Sequence, residues 1–399
     1  MQDFNPQAFI QSQVAEIKKL IGNERALVAV SGGVDSTTCA VLTYKAIGSN
    51  LLCVMLDDAF MREGEPQRIA QLVSQPPIKL PIKVLDVQER FLTALEGLKD
   101  AEEKRKAFRE TFYRVLGETA KKEGCKVLVQ GTIKADIVET VGGVKTQHNV
   151  LEQMGINTVE RFGFKVVEPL VSLYKEQVRM VARQLGVPSE IAERQPFPGP
   201  GLSVRIVGVI KRDKLDSEKK ATVILEENFA KQKPSQCFAA ILEDKTVPHP
   251  RSMHIQEAAA RLLNVPSRNV SVKVFEAKAT GIREGKRMYG NILALKAKTM
   301  NGNFHNPPIS SLIAIQAMIT SEDPSITRIM YAIKEAAQEQ PYVIVLRAIH
   351  THDFLTAKVV EIPWETLNKT ANKILTACQN VSAIYYDLTP KPPATVEME

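Results

Sequence analysis

A six-residue run, Ser31-Gly32-Gly33-Val34-Asp35-Ser36, has the residue types of an anion-binding loop. Two adjacent glycines let a backbone turn tightly and approach a ligand closely. An apolar run at 26–30 precedes the loop and a helical pattern at 37–46 follows it, so the loop joins a buried strand to a helix. Free N–H groups at the start of that helix would point at phosphate oxygens, and the helix dipole adds about 0.3–1 kcal/mol. Ser31, Ser36, Thr37 and Thr38 can add hydroxyl hydrogen bonds. The loop lacks the Gly-Lys-Ser/Thr ending of a Walker motif and the Gly-x-Gly-x-x-Gly pattern, which disfavours both the γ-phosphate and the dinucleotide readings. A glycine-rich turn without chemistry is the alternative.

Asp35 calls for a cation. A carboxylate beside pyrophosphate is repelled unless a cation lies between them, and magnesium favours one or two carboxylates plus phosphate oxygens. An N-cap role is the other reading, and the two are compatible.

The elements that must hold this loop alternate. Strand patterns at 26–30, 51–56, 82–85, 127–129 and 165–167 are separated by helical patterns, among them 104–122 and 172–185. Such alternation predicts an α/β fold with a doubly wound parallel sheet. Ligands then lie at the carboxyl ends of its strands. Asp57 ends the second strand there, and Gly131 and Thr132 begin the turn after the fourth. A solvated strand-end acid and a plain tight turn are their alternatives.

The pattern breaks at residues 196–201, Pro-Phe-Pro-Gly-Pro-Gly, which suit neither a helix nor a central strand. This predicts one domain over 1–200 and another over 201–399. In the second, strands are expected at 204–210, 270–276, 292–297 and 343–348, with helices at 257–263 and 363–378. That mixture predicts α+β, with an insertion at about 299–340.

Composition narrows the partners. The formal net charge of +7 suits anionic ligands, but no block of Lys and Arg is long enough for a nucleic-acid arm. Cys39, Cys53, Cys125, Cys237 and Cys378 form no CxxC pair, so neither a zinc ribbon nor a redox motif is expected. Unpatterned cysteines, no signal-peptide pattern and no apolar run of roughly 18 residues predict a cytoplasmic protein that does not enter a membrane.

Several segments resemble GMP synthetase, over most of the chain. They are SGGVDS at Ser31, KAFRETFYRVLGE at Lys106, VQGTIKADIVET at Val129, KTQHNV at Lys145, VVEPLVSLYKEQVR at Val166, RQPFPGPGLSVRI at Arg194 and YYDLTPKPPATVEME at Tyr385. The loop itself is similar to that of the PP-loop superfamily, in which ATP is split between its α and β phosphates. The resemblance implies a sheet of the adenine-nucleotide alpha-hydrolase-like type, followed by a smaller α+β dimerisation domain. It also implies the activity: ATP adenylylates the C2 oxygen of xanthosine monophosphate, and ammonia displaces AMP to give GMP. ATP and magnesium are the expected cofactors. The family's glutaminase domain is absent, so a separate glutamine amidotransferase subunit is an expected partner, and the resemblance of the C-terminal domain to a dimerisation domain implies a homodimer.

The resemblance also assigns residues. Ser31, Gly32, Gly33, Val34, Asp35 and Ser36 would hold pyrophosphate, with magnesium on Asp35. Asp57, Gly131 and Thr132 would meet ATP, and Lys175 would reach its phosphates. Asp35, Lys175 and His148 would be catalytic. Lys134, Arg194, Arg205, Lys391 and Glu397 would hold the acceptor nucleotide. For Lys175 an ordinary solvated lysine is the alternative, for His148 a structural histidine, and for the tail residues Lys391 and Glu397 disorder. Prolines 390, 392 and 393 stiffen that tail.

The chain departs from the family at the acceptor end. Gln147 replaces one histidine of KSHHN, and Ala135 replaces a proline. The family's VDHG or VDNG stretch reads Leu56-Asp57-Asp58-Ala59, and its GDGRTY segment starts at Glu284-Gly285. Met398 stands for a tryptophan. A relative amidating another carbonyl acceptor is therefore a second reading. A tRNA-modifying PP-loop enzyme is a third, although the cysteine spacing offers it no catalytic or metal-binding set.

Overall fold

The apolar runs at 26–30 and 51–56 become adjacent parallel strands whose residues are buried on both faces. That explains why they read as continuous apolar runs without alternation. A computed structural model describes residues 4–141, 158–351 and 355–399. The chain divides into two compact units, Met1–Leu95 with Lys106–Pro200, and Glu96–Arg105 with Gly201–Glu399.

In chain order the first unit carries α1 (Pro6–Ile21), β1 (Arg25–Ala29), α2 (Val34–Ile47), β2 (Leu51–Asp57), α3 (Glu65–Ser74), β3 (Ile82–Asp86), α4 (Gln88–Leu95) and most of α5 (Ala101–Glu123). Then follow β4 (Cys125–Val129), α6 (Lys134–Val141), α7 (Thr158–Phe162), β5 (Lys165–Val167), α8 (Lys175–Gln184) and α9 (Ser189–Ala192). The sheet is parallel throughout, in the order β3-β2-β1-β4-β5. Its order reverses between β1 and β4, which opens a crevice at their carboxyl ends. Ile17, Leu42, Val178 and Val181 bring α1, α2 and α8 onto one core with Val28 and Met55.

In the second unit come α10 (Arg212–Phe229), β6 (Gln236–Glu243), α11 (Ser252–Leu263), β7 (Val270–Arg283), β8 (Lys286–Ala297) and α12 (Ile309–Glu322). They are followed by β9 (Ile326–Glu335), β10 (Tyr342–His350), β11 (Lys358–Val359), α13 (Trp364–Ala377) and β12 (Val381–Asp387). Their seven strands form a mixed sheet, β11-β10-β12-β9-β8-β7 with β6 on β10.

Three expectations change here. Residues 204–210 are not a strand: Gly201–Val204 is a short 3-10 turn, and Ile206 makes a single bridge to Ile241. Side chains replace the ladder, because Lys104 Nζ donates to Ile206 O at 2.8 Å and Lys214 Nζ to Val207 O at 2.6 Å. Residues 299–340 are not an excursion from the sheet, since they supply α12 and β9, and β9 lies between β8 and β12. Finally, the second unit is no smaller than the first, because Glu96–Arg105 joins it.

Candidate active site

β1 delivers the chain to the phosphate loop at the crevice. Val30 N–H still bonds to Val54 O at 2.8 Å, so sheet pairing continues to the loop's edge. Gly32 then takes φ +77°, a left-handed backbone that suits glycine. Gly33 is the N-cap of α2 and makes no side-chain cap bond. Val34 and Asp35 therefore open the helix, and Asp35 lies inside its first turn instead of capping it. Ser31 and Ser36 close the loop on itself: Ser31 N–H donates to Ser36 Oγ at 3.1 Å, and the two Oγ atoms lie 2.9 Å apart.

Asp35 faces Lys175, the first residue of α8, with Nζ to Oδ2 at 2.6 Å. Its other oxygen, Oδ1, is buried and has no hydrogen-bond partner among the described residues. Burial holds the carboxyl above the usual aspartate range, with Lys175 pulling the other way. The two side chains keep 27% and 37% of their surface open, so the pair is partly reachable from solvent.

Gly131, in the turn between β4 and α6, lies against the same helix start. A Cβ at position 131 would lie 2.9 Å from Asp35 C and Ser36 N. The glycine thus lets β4 abut the first turn of α2. Thr132 is fully buried. Lys134 opens α6, with Nζ 4.9 Å from the Tyr174 ring centroid, and Tyr174 immediately precedes Lys175. Asp57, at the end of β2, accepts from Gln67 Nε2 at 3.2 Å.

Arg194, expected beside the acceptor, places Nη1 3.4 Å from Gly32 O of the phosphate loop. Two residues that the sequence does not single out stand with it. Glu65, buried at the start of α3, pairs with Arg194, and Arg62 stacks over Phe197 at 4.5 Å. Their separation along the chain hides this grouping. His148, and with it Lys145, Thr146, Gln147 and Asn149, lie outside the described residues.

In the second unit the structure brings Arg205 and Glu397 together. Arg205 Nε and Nη2 reach the two Glu397 oxygens at 3.0 and 3.2 Å, and Gln236 Nε2 donates to Oε1 at 2.8 Å. The Arg205 guanidinium also lies 4.3 Å from the Phe238 ring centroid. Lys391 is elsewhere on the tail, where its main chain exchanges hydrogen bonds of 2.9 and 3.0 Å with Ala357. The tail is ordered by a clamp with no signal in the sequence. Arg328 and Arg347 each place Nη1 2.7 Å from Asp387 Oδ2, and each donates from Nη2 to Thr395 O at 2.9 Å.

Comparison with known proteins decides the family. A model of the PP-loop domain matches residues 6–189, and one of the GMP synthase C terminal domain matches 333–398. A subunit of the glutamine-hydrolyzing GMP synthase of Sulfurisphaera tokodaii is 42% identical over 398 residues, 99% of this chain and 100% of that one. The same subunit of the Saccharolobus solfataricus enzyme is 40% identical over 396 residues, again 99% and 100% of the two chains. That of Methanopyrus kandleri is 36% identical over 403 residues, with the same coverage.

The chain belongs to the GMP synthase family.

Two of its departures from the family pattern have local causes. Ala59 takes a left-handed backbone, φ 73°, where VDHG and VDNG have glycine, at a cost of about 1–2 kcal/mol. Glu284 and Gly285, at φ 49° and 73°, form the two-residue turn between β7 and β8, with Arg283 paired to Lys286. A GMP synthase chain with this turn presents Gly285, not an acid, at that position.

Proposed function

We propose that this chain converts xanthosine monophosphate to GMP through an adenylylated intermediate, releasing AMP and pyrophosphate. As a member of the GMP synthase family it is an ATP-dependent ligase. Its relatives are each one named subunit of a glutamine-hydrolyzing enzyme, which implies a separate amidotransferase subunit that supplies the ammonia. The carrying observation is the Asp35–Lys175 pair on an intact phosphate loop at the β1/β4 crevice.

The acceptor's carbonyl has no leaving group, and adenylylation supplies one. The C2 oxygen attacks the α-phosphorus, an O–P bond forms, and the bond to the β-phosphate bridging oxygen breaks. Pyrophosphate leaves on the loop, where Ser31, Ser36 and the N–H groups of residues 32–36 receive its charge. Lys175 adds a cation to that charge. Ammonia then adds to C2, the C2–O bond breaks, AMP departs with the oxygen, and a proton passes to solvent.

Magnesium fits the residues present. Asp35 Oδ1 is a buried carboxylate oxygen with no hydrogen-bond partner among the described residues, and magnesium is content with one carboxylate and phosphate oxygens. Bound there, it would neutralise developing phosphate charge. Among the described residues no group of three or more His, Cys, Asp or Glu forms a closed metal cage.

In this reading residues 1–200 carry ATP chemistry and 201–399 the acceptor and a homodimer contact. Asp57, Gly131 and Thr132 meet ATP, and Lys134 and Lys391 meet the acceptor nucleotide. Arg205 and Glu397 hold the tail that presents it. His148 is counted as catalytic on the resemblance of KTQHNV alone. A cytoplasmic location is supported by five free, buried cysteines. No helix of the described residues is long and apolar enough to cross a membrane.

The test is conversion of xanthosine monophosphate by the purified chain with ATP, magnesium and ammonia. GMP, AMP and pyrophosphate should appear in equal amounts. A folded protein that binds ATP yet yields no GMP would redirect the reading to another acceptor.

A further inference from the structure

Glu65 is the first residue of α3 and only 2% of its side chain is exposed. A carboxylate buried so deeply is costly unless it is paired. Here it gathers two arginines. Oε1 accepts from Arg194, and Oε2 accepts from the Arg62 main-chain N–H at 3.1 Å and lies 3.6 Å from the Arg62 guanidinium. Each arginine then touches a different functional segment. Arg194 donates to Gly32 O of the phosphate loop at 3.4 Å, and Arg62 lies 4.5 Å from the Phe197 ring centroid, within the Pro-Phe-Pro-Gly-Pro-Gly run.

The loop itself records this arrangement. A Cβ at Gly32 would lie 3.1 Å from Arg194 Nη1 and 3.1 Å from Ile69 Cγ1. A side chain at position 32 would be crowded by Arg194 and Ile69 together. The Arg194 guanidinium is therefore part of the loop's shape.

We propose that Glu65 is a positioning residue for pyrophosphate: it fixes Arg194 against Gly32 and, through Arg62 and Phe197, ties the 195–200 segment to the phosphate loop. The proposal rests on the reading of residues 31–36 as the pyrophosphate site. Arg194, on this account, serves ATP cleavage and not acceptor binding.

Glu65→Gln keeps the shape and removes the charge. It should raise KM for ATP about tenfold and weaken inhibition by pyrophosphate about as much, the size of one lost charge-assisted hydrogen bond. KM for xanthosine monophosphate should stay within about twofold, the scale of an uncoupled site. In an Arg194→Lys background, Glu65→Gln should add less than about twofold, because both changes remove one interaction. Equal effects on both substrates, or full additivity with Arg194→Lys, would reduce Glu65 to a structural ion pair and overturn the proposal. Should Glu65→Gln fail to fold, Arg194→Lys alone decides: a rise in KM confined to ATP supports it, and one confined to the acceptor overturns it. Asp35→Ala in an ATP–pyrophosphate exchange assay separates the premises. Lost exchange there with normal Glu65→Gln kinetics removes the positioning role and leaves the loop assignment standing. Retained exchange there removes the loop assignment.

Discussion

Asp35 Oδ2 lies 2.6 Å from Lys175 Nζ, while Asp35 Oδ1 is buried with no hydrogen-bond partner among the described residues. One oxygen is thus committed to a cation on α8, and the other is open to a second cation. In the proposed reaction that second cation is magnesium, carried in with the phosphates. Asp35→Ala should accordingly lower ATP–pyrophosphate exchange by about 10²–10³-fold, the usual loss for a group stabilising developing charge. Exchange at wild-type rate would remove the loop from the mechanism.

The same carboxylate should make stability depend on pH in a defined direction. Burial raises its folded pKa above the unfolded value. The protonated form is therefore favoured by folding, and that stability is full below the unfolded pKa and lost as pH rises through the folded pKa. Asp35→Asn removes the loss. Thermal melts should find the variant more stable than wild type at neutral pH, with the gap closing in acid. A gap that widens in acid would mean that Lys175, not burial, sets the pKa.

Gly131 supports the same helix turn. With a Cβ 2.9 Å from Asp35 C and Ser36 N, Gly131→Ala must push β4 or α2 away. Overpacking of this kind costs about 1–3 kcal/mol. Denaturant midpoints should fall, and KM for ATP should rise more than KM for the acceptor. Unchanged ATP kinetics would show that the helix start tolerates the shift.

In the tail proposed to meet the acceptor, Glu397 is held by Arg205 and Gln236. Glu397→Gln retains the shape and loses the ion pair. KM for xanthosine monophosphate should rise about tenfold, a typical loss for one buried charge-assisted bond, with KM for ATP unchanged. A change in ATP kinetics instead would assign the tail to the wrong substrate.

Asp387 tests the clamp beneath that tail. It is fully buried and shared by Arg328 and Arg347. Asp387→Ala leaves two buried guanidinium groups without their anion, and breaking such pairs costs about 3–5 kcal/mol. Chemical denaturation should register that loss, and a change below about 1 kcal/mol would argue that the arginines' bonds to the tail carbonyls suffice.

These sites were legible in unequal measure. The loop at 31–36 is legible as a strand-to-helix turn because its six residues are consecutive between β1 and α2. The parallel sheet followed from strand–helix alternation, since β1, β2 and β4 bury both faces and read as apolar runs. Glu65 was missed because its partner Arg194 is 129 positions away, and no local pattern distinguishes a buried glutamate from a helix-starting one. Asp387 was hidden the same way, among arginines 40 and 59 positions distant. Residues 204–210 had a strand's apolar pattern, yet the Ile206 and Val207 carbonyls are taken by Lys104 and Lys214, which pattern reading cannot weigh.

The central claim is that ATP activates the acceptor's carbonyl oxygen by adenylylation. Xanthosine monophosphate labelled with ¹⁸O at C2 tests it directly, with turnover by the chain in ATP, magnesium and ammonia and mass analysis of the nucleotides. One labelled oxygen should appear in AMP for each GMP formed, with none in pyrophosphate. Label in pyrophosphate, or release into water with unlabelled AMP, would contradict the account.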